Sequence, residues 1–172
     1  MIGQMKDLVF LDIETTMCHQ KIHLVVTNAN GVIKWHREPQ SLKKEIWGKI
    51  LVAHNGIGFD FPVLNRVWGL KIKLHQVLDT LVLSRLLNPM RTKHSLASWG
   101  EDLGFPKTEF NQFDQYSEEM RQYCINDVKV LERVYNQLLK EKESHGFDEE
   151  SIQLEHEVCS VISKQVSRGF RL

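Results

Sequence analysis

The chain has 172 residues, of which 42% are hydrophobic and 26% charged, and its formal net charge is zero. This length and composition are typical of an ordinary soluble globular protein and suit one α/β domain with a buried core. The balanced charge excludes the strongly basic composition that would by itself indicate a nucleic-acid partner.

Cysteine usage and hydropathy indicate the class of protein and the compartment. The three cysteines, Cys18, Cys124 and Cys159, lie far apart and form no CxxC pair. They support neither a disulfide framework nor a zinc knuckle, and a reducing, cytoplasmic setting fits best. The N-terminus lacks the apolar run of a signal peptide and no segment approaches membrane-spanning length, so no membrane association is expected.

The first half of the chain predicts four strands and two short helices. Residues 7–14 are typical of a strand, residues 23–38 of two strands around an Asn-Gly turn, and residues 51–55 of a fourth strand. The first helix is predicted from an N-cap at Ser41 through Ile50. The second covers residues 61–69, with Pro62 in its first turn and Gly69 at its end.

The second half predicts mainly helices. A short apolar segment at 77–80, closed by Asp79, precedes a helix that Pro89 stops, and a further short helix begins after Ser95. The longest helix is predicted from Ser117 to about Lys142, opened by a capping-box pattern, and a last helix covers roughly 149–168. Early strands and late helices, with a βα alternation between them, predict a mixed β-sheet flanked by α-helices.

Four acidic side chains and one tyrosine form the candidate site. Asp12 and Glu14 lie two positions apart on a strand and therefore project from the same face. Asp60 follows a glycine-containing bend just before a helix, and Asp127 lies four residues after Tyr123, on the same helical face. These side chains could converge from three separate elements.

Carboxylates that converge repel each other and so destabilise the folded protein, and a metal ion would remove that repulsion. Buried acids repel each other unless positive charge lies between them, and hard oxygen ligands are what Mg²⁺ or Mn²⁺ prefers. Two such ions can support in-line attack at phosphorus. Each residue also has a simpler interpretation when taken singly: a solvated turn for Asp12 and Glu14, a helix N-cap for Asp60, a surface position for Asp127 and core packing for Tyr123.

In sequence order, these residues belong to three short motifs: Asp-x-Glu-Thr, Asn-Gly-x-x-aromatic-Asp and Tyr-x-x-x-Asp. The motifs comprise Asp12, Glu14 and Thr15, then Asn55, Gly56, Phe59 and Asp60, and finally Tyr123 and Asp127. The set resembles the DEDDy branch of the DnaQ-like 3′→5′ exonucleases, which have an RNase H-like fold. The segments LDTLVLSRLL and HSLASWGEDLG are similar to the proofreading domains of family-A polymerases from short-tailed phages.

The resemblance implies a role for each residue of the acidic set. Asp12 would bridge two Mg²⁺ or Mn²⁺ ions, Asp127 would hold the ion on the nucleophile side, and Asp60 would support the second ion. Glu14 and Tyr123 would orient the attacking water. The implied products are a 5′-nucleoside monophosphate and a shortened strand.

Other residues are candidates for binding the substrate. An unstacked terminal base needs an apolar contact, and upstream phosphates need cations. The candidates are Thr15, Met17, Asn55, Phe59, Arg91 and Lys93. Core packing is an alternative for Met17 and Phe59, and a solvated connection is an alternative for the loop with Arg91 and Lys93. Glu155, His156 and Cys159 have ligand-like spacing, but an exposed helix explains that spacing better.

The sequence therefore predicts one exonuclease domain over residues 1–172, in which roughly 149–172 resemble the helix that links such a domain to a polymerase module. The leading hypothesis is a divalent-metal-dependent exodeoxyribonuclease that acts on single-stranded DNA 3′ ends in proofreading. Its expected partners are that DNA end and a separate family-A-type polymerase, in the cytoplasm of a bacterial host if the chain is phage-encoded. Two alternatives stay open: an RNase D-like exoribonuclease, and an inactive nucleic-acid-binding or polymerase-docking module.

Overall fold

Five strands form one mixed sheet. The structure, a computed structural model, describes residues 8–106 and 108–169. The strands are β1 (Leu8–Thr15), β2 (Ile22–Ala29), β3 (Val32–His36), β4 (Ile50–Ala53) and β5 (Val77–Asp79). Their order across the sheet is β3-β2-β1-β4-β5. β1, β2 and β3 pair antiparallel, whereas β4 is parallel to both β1 and β5.

Six helices and one short 3₁₀ turn at Leu74–Gln76 accompany the sheet in the described residues. The helices are α1 (Pro39–Glu45), α2 (Asp60–Trp68), α3 (Thr80–Leu87), α4 (Leu96–Asp102), α5 (Glu118–His145) and α6 (Glu149–Arg168). None of these helices is long and apolar enough to cross a membrane.

Alternating side chains of the central strands build a core on each face of the sheet. On one face, Phe10 and Val26 pack with residues of α3, α4 and α5. On the other face, Val9 and Val25 pack with residues of α1 and α2. Positions 12 and 14 continue the set of Phe10, so they project toward α5. The predicted mixed sheet with flanking helices is confirmed.

Local sequence signals set most of the element ends. Asn30 and Gly31 have φ values of 54° and 79°, the left-handed pair that a two-residue hairpin turn requires. Ser95 and Ser117 cap α4 and α5 by accepting hydrogen bonds from Ser98 N–H and Met120 N–H. These predictions are confirmed.

Two predicted elements have different boundaries in the structure. The first helix begins at Pro39 rather than after Ser41 and ends at Glu45 rather than Ile50. Proline at the first helical position loses no intrahelical hydrogen bond, so it starts the helix earlier than the serine would. The fourth strand stops at Ala53 because Asn55 has a φ of 64°, which no strand accommodates.

Gly56 should be intolerant of a side chain, whereas Gly58 should accept one. A Cβ added to Gly56 would lie 2.5 Å from the Phe61 ring and 2.7 Å from the Cβ of Ala53. Such overpacking costs about 1–3 kcal/mol, so Gly56→Ala should lower the melting temperature by roughly 3–10 °C. At Gly58 the added Cβ meets only the end of the Asn55 side chain, at 2.6 Å, and that amide can move. Circular dichroism melts of both variants test this, and equal losses would contradict it.

Candidate active site

The first two acids of the site lie at the carboxyl-terminal end of β1. Asp12 and Glu14 pair with Val26 and Leu24 of β2 and share the face of the sheet that α5 covers. Glu14 is buried and Asp12 is partly buried. Two carboxylates thus lie on an apolar central strand, as the sequence predicts.

Helix α5 brings a thiol and a third carboxylate to these acids. The Cys124 Sγ lies 3.3 Å from Asp12 Oδ2 and 3.5 Å from the Asp12 carbonyl oxygen. Burial raises the pKa of the Cys124 thiol well above its ordinary value, and the charges of Asp12, Glu14 and Asp127 raise it further. The thiol therefore stays protonated and donates to Asp12. Ligand atoms of Asp12, Glu14 and Cys124 all lie within 4.8 Å of one another.

Asp60, the first residue of α2, is the fourth acid, and only 4% of it is exposed. Burial raises its pKa well above the ordinary value, and the negative charges of Asp12 and Asp79 raise it further. Backbone N–H groups of Asp60 and Ile13 oppose that shift by donating to the carboxylate. The charge of Asp12 thus acts on Asp60, and those of Asp12, Glu14 and Asp127 act on Cys124, which links the acids of β1, α2 and α5 through Asp12 and Cys124.

Asp79 fixes the loop that leads to Asp60. One of its carboxylate oxygens accepts from the N–H groups of Asn55 and Leu81, and the other accepts from Ile57 N–H, each at 2.9 Å. The bond to Asn55 helps to hold its left-handed backbone. Asn55 itself is exposed. In the sequence, Asp79 is recognisable only as the residue that closes a short apolar segment before a helix, and this position was the available signal for its role.

Tyr123 lies beside an aromatic loop. Its ring stacks on Phe110 with centroids 5.4 Å apart and meets the edge of Phe113 at 6.4 Å. Tyr123 also lines an open cavity of about 680 Å³ between α4 and the segment that follows it. The His23 Nε2 lies 3.0 Å from the Phe113 carbonyl oxygen and ties this loop to β2. No sequence pattern predicts that Phe110 and Phe113 lie against Tyr123.

Three of the predicted substrate contacts share one pocket next to Glu14. This pocket has a volume of about 270 Å³, and its lining includes Glu14, Thr15, Met17, His19, Phe59 and Phe113. Met17 is 74% exposed, so the alternative interpretation of Met17 as a core residue was wrong. His19 had not been predicted: its ring packs edge-on against Phe59, with centroids 4.8 Å apart, and its Nδ1 lies 3.0 Å from Thr15 Oγ1.

The two predicted phosphate contacts differ in their surroundings. Arg91 is engaged within the protein, because its guanidinium pairs with Asp102 at 2.5 Å and lies 3.8 Å from the centre of the Trp99 ring. Its Nε also donates to the Lys93 carbonyl at 2.6 Å. Lys93 is exposed on the same loop. A phosphate at this loop would reach Lys93 freely but would have to compete with Asp102 for Arg91.

Curated proteins similar to this chain are DNA polymerases. The DNA-directed DNA polymerase of Escherichia phage T7 is 26% identical over 182 residues, which cover 72% of this chain and 26% of the polymerase. The DNA polymerase III PolC-type of Mycoplasma pneumoniae is 25% identical over 78% of this chain and 13% of that protein. The chain spans about a quarter of the length of the phage polymerase. No protein-family model matches it.

Solved structures share the fold. Brucella melitensis NrnC with bound Mg²⁺ superposes with a TM-score of 0.75 at 20% identity, over 95% of this chain and 86% of that one. The same protein bound to pGG superposes with a TM-score of 0.76. Another match, at a TM-score of 0.76, is the apo form of a nuclease. The chain therefore has an RNase H-like fold and is similar in sequence to these DNA polymerases.

Proposed function

We propose that the chain is a divalent-metal-dependent 3′→5′ exodeoxyribonuclease that removes 5′-nucleoside monophosphates from single-stranded DNA ends, in proofreading. The observation that carries this proposal is the cluster of four carboxylates on β1, α2 and α5, with a pocket beside it. Similarity to DNA polymerases supports DNA as the substrate.

The cluster fits hard divalent cations. Its donors are carboxylate oxygens, the ligands that Mg²⁺ and Mn²⁺ prefer, and a bound cation would offset the burial and the charge of Asp12 that raise the pKa of Asp60. Cys124, as a neutral thiol, would serve as a donor to Asp12 rather than as a ligand. We assign the binding of two ions to Asp12, Glu14, Asp60 and Asp127. Bound there, the ions would lower the pKa of the attacking water and neutralise charge at the scissile phosphate.

The remaining roles belong to the protein's own side chains. Glu14 and Tyr123 would orient the attacking water. Thr15, Met17 and Phe59 would hold the terminal nucleoside in the pocket beside Glu14. His19 also lines this pocket. Because such a pocket accepts a base only after it has unstacked, single-stranded ends should be preferred. Asn55, Lys93 and Arg91 would contact the strand behind the terminal nucleotide.

A second candidate function is exonuclease action on RNA or on short oligonucleotides, in the manner of RNase D. The NrnC structure with bound pGG favours this alternative, because its fold covers nearly the whole chain. The similar polymerases favour DNA instead, and we place DNA first because those matches rest on sequence as well as fold. An inactive binding or docking module is the third possibility.

One assay separates the three functions. Labelled single-stranded DNA, duplex DNA and RNA are incubated with Mg²⁺ or Mn²⁺ and the wild-type chain, with Asp12→Ala, and with Asp114→Ala as a matched exposed-acid control. We expect nucleotide release from the 3′ end of single-stranded DNA, a loss of at least about 10³-fold in Asp12→Ala, and no change in Asp114→Ala. Faster release from RNA would support the second function, and binding without release from any substrate would support the third.

Asp60→Asn should stabilise the metal-free protein at neutral and alkaline pH. Asp60 titrates near its ordinary value of 3.8 in the unfolded chain and at a higher pH in the folded one. The folded state therefore retains a proton that the unfolded state releases, so the stability that this proton provides is lost as pH rises through the folded pKa. The amide removes that loss, and we expect a melting temperature roughly 2–4 °C above wild type.

Melting curves from pH 5 to 9, with and without Mn²⁺, check this expectation. Mn²⁺ should stabilise the wild type strongly and Asp60→Asn weakly, because a ligand stabilises the state that binds it. A variant that melts below wild type at pH 8 without metal would contradict the account of Asp60.

We also propose that α6 is the face through which this domain contacts a polymerase module, on the same or a separate polypeptide. Five large apolar side chains lie along one side of α6, with exposed fractions from 43% to 77%: Leu154, Val158, Val161, Ile162 and Val166. An exposed apolar stripe of this kind marks an interaction surface. The greater length of the similar phage polymerase supports this choice of partner.

Val158→Asp should abolish that contact, and Ser167→Asp, on the opposite side of the same helix, should not. The probe is the phage T7 polymerase from which the matched segment has been deleted, immobilised for a pull-down of the chain. Equal retention of both variants would contradict the proposal. So would a dimer of the chain alone, measured by light scattering, that Val158→Asp dissociates.

A further inference from the structure

Helix α6 turns a histidine, rather than its apolar stripe, toward the core. In the described part of this helix the buried residues are Ile152 and His156. His156 is 5% exposed, and its Nε2 lies 2.8 Å from the backbone nitrogen of Asp79. Its Nδ1 lies 2.8 Å from the Ile152 carbonyl oxygen. The sequence predicts an exposed helix for Glu155, His156 and Cys159; Glu155 is exposed as expected, whereas His156 is buried.

The two hydrogen bonds determine the protonation state of the ring. A backbone N–H can only donate, so Nε2 must carry a lone pair and accept from Asp79. A backbone carbonyl can only accept, so Nδ1 must carry the proton and donate to Ile152. His156 is therefore a neutral imidazole in one tautomer, and both of its nitrogens are satisfied inside the core.

The partner of His156 is the residue that organises the loop before Asp60. The Asp79 carboxylate accepts from Asn55 N–H and Ile57 N–H, both at 2.9 Å. The same loop is joined to the start of α2, because Phe59 N–H donates to the Asn55 carbonyl at 2.9 Å and Phe61 N–H donates to the Gly56 carbonyl at 2.9 Å. A shift of Asp79 would therefore move the backbone that presents Asp60.

A second contact joins α6 to the same loop. Ser163, two turns beyond His156, donates from its Oγ to the Ile57 carbonyl oxygen at 3.3 Å. Ile57 is thus held on both sides: its N–H by Asp79 and its carbonyl by Ser163. α6 reaches the loop once directly and once through Asp79.

We propose that His156 is a positioning residue of the metal site: from α6 it holds Asp79, and through Asp79 it holds the loop that places Asp60 beside Asp12. Ser163 reinforces the same placement. The inference rests on the proposed function only in taking Asp60 as a ligand of the divalent cation. It makes α6 part of the framework of the site as well as a surface for a partner.

The test compares Mn²⁺ affinity with folding stability. His156→Leu removes the acceptor and leaves the Asp79 N–H buried without it, whereas His156→Gln keeps an oxygen near the position of Nε2. Leu42→Ala, a fully buried change on α1, is the control for a general loss of stability. The dissociation constant for Mn²⁺ is measured by electron paramagnetic resonance at a temperature where every variant is folded, and the melting temperature is measured without metal.

We expect His156→Leu to weaken Mn²⁺ binding about tenfold, the effect typical of residues that orient a metal ligand. His156→Gln should recover most of that loss, and Leu42→Ala should lower the melting temperature without changing the Mn²⁺ affinity. If His156→Leu does not fold, Ser163→Ala takes its place, with an expected loss of about twofold to threefold.

Two results are decisive in the other direction. Wild-type affinity in His156→Leu, or in Ser163→Ala if the first variant does not fold, would overturn the proposal and leave His156 a residue of the core alone. Equal weakening in Leu42→Ala would overturn it as well. If instead the wild-type chain binds no Mn²⁺, the proposed function itself fails, so the two failures are distinguishable.

Discussion

Repulsion among buried carboxylates is the interaction on which this structure depends. Asp12 and Asp60 come from different elements, yet the charge of Asp12 adds to the burial that raises the pKa of Asp60. Neutral donors offset part of this cost: backbone N–H groups at Asp60, and the Cys124 thiol at Asp12. A protein that keeps such acids together without a function would gain stability by losing one of them. A dication removes the repulsion, which is why the electrostatics and the donor chemistry lead to the same conclusion.

The rest of the fold can be understood as support for that cluster. β1 lies in the centre of the sheet, where strands pair with both of its edges and helices pack on both faces. α5 carries Cys124 and Asp127 on the side that meets β1, and α2 begins with Asp60 itself. Asp79 holds the one irregular loop in the set by hydrogen bonds to its backbone, and His156 accepts a hydrogen bond from Asp79 N–H. The acids thus lie on regular strands and helices, and the irregular loop is held in place by hydrogen bonds.

Periodicity predicted the parts of this arrangement that depend on neighbours in sequence. Spacings of two on a strand and four on a helix placed Asp12 with Glu14, and Tyr123 with Asp127, while Asn30-Gly31 and the serine caps set the turns. What periodicity could not predict depends on contacts between distant segments. Phe110 and Phe113 reach Tyr123 from a loop without regular structure, and Arg91 is engaged by a helix that follows it. On α6 the apolar stripe faces solvent and a histidine faces the core. The amphipathic pattern alone would therefore assign the wrong face of this helix to the core.

The central claim is that the acids of β1, α2 and α5 bind divalent cations together. A crystal of the wild-type chain soaked in Mn²⁺, with anomalous diffraction recorded at the manganese edge, tests it most directly. The account predicts two manganese peaks enclosed by Asp12, Glu14, Asp60 and Asp127, with Cys124 remaining a donor to Asp12. A map that shows no manganese at these carboxylates under saturating Mn²⁺, or manganese bound only elsewhere on the chain, would contradict it.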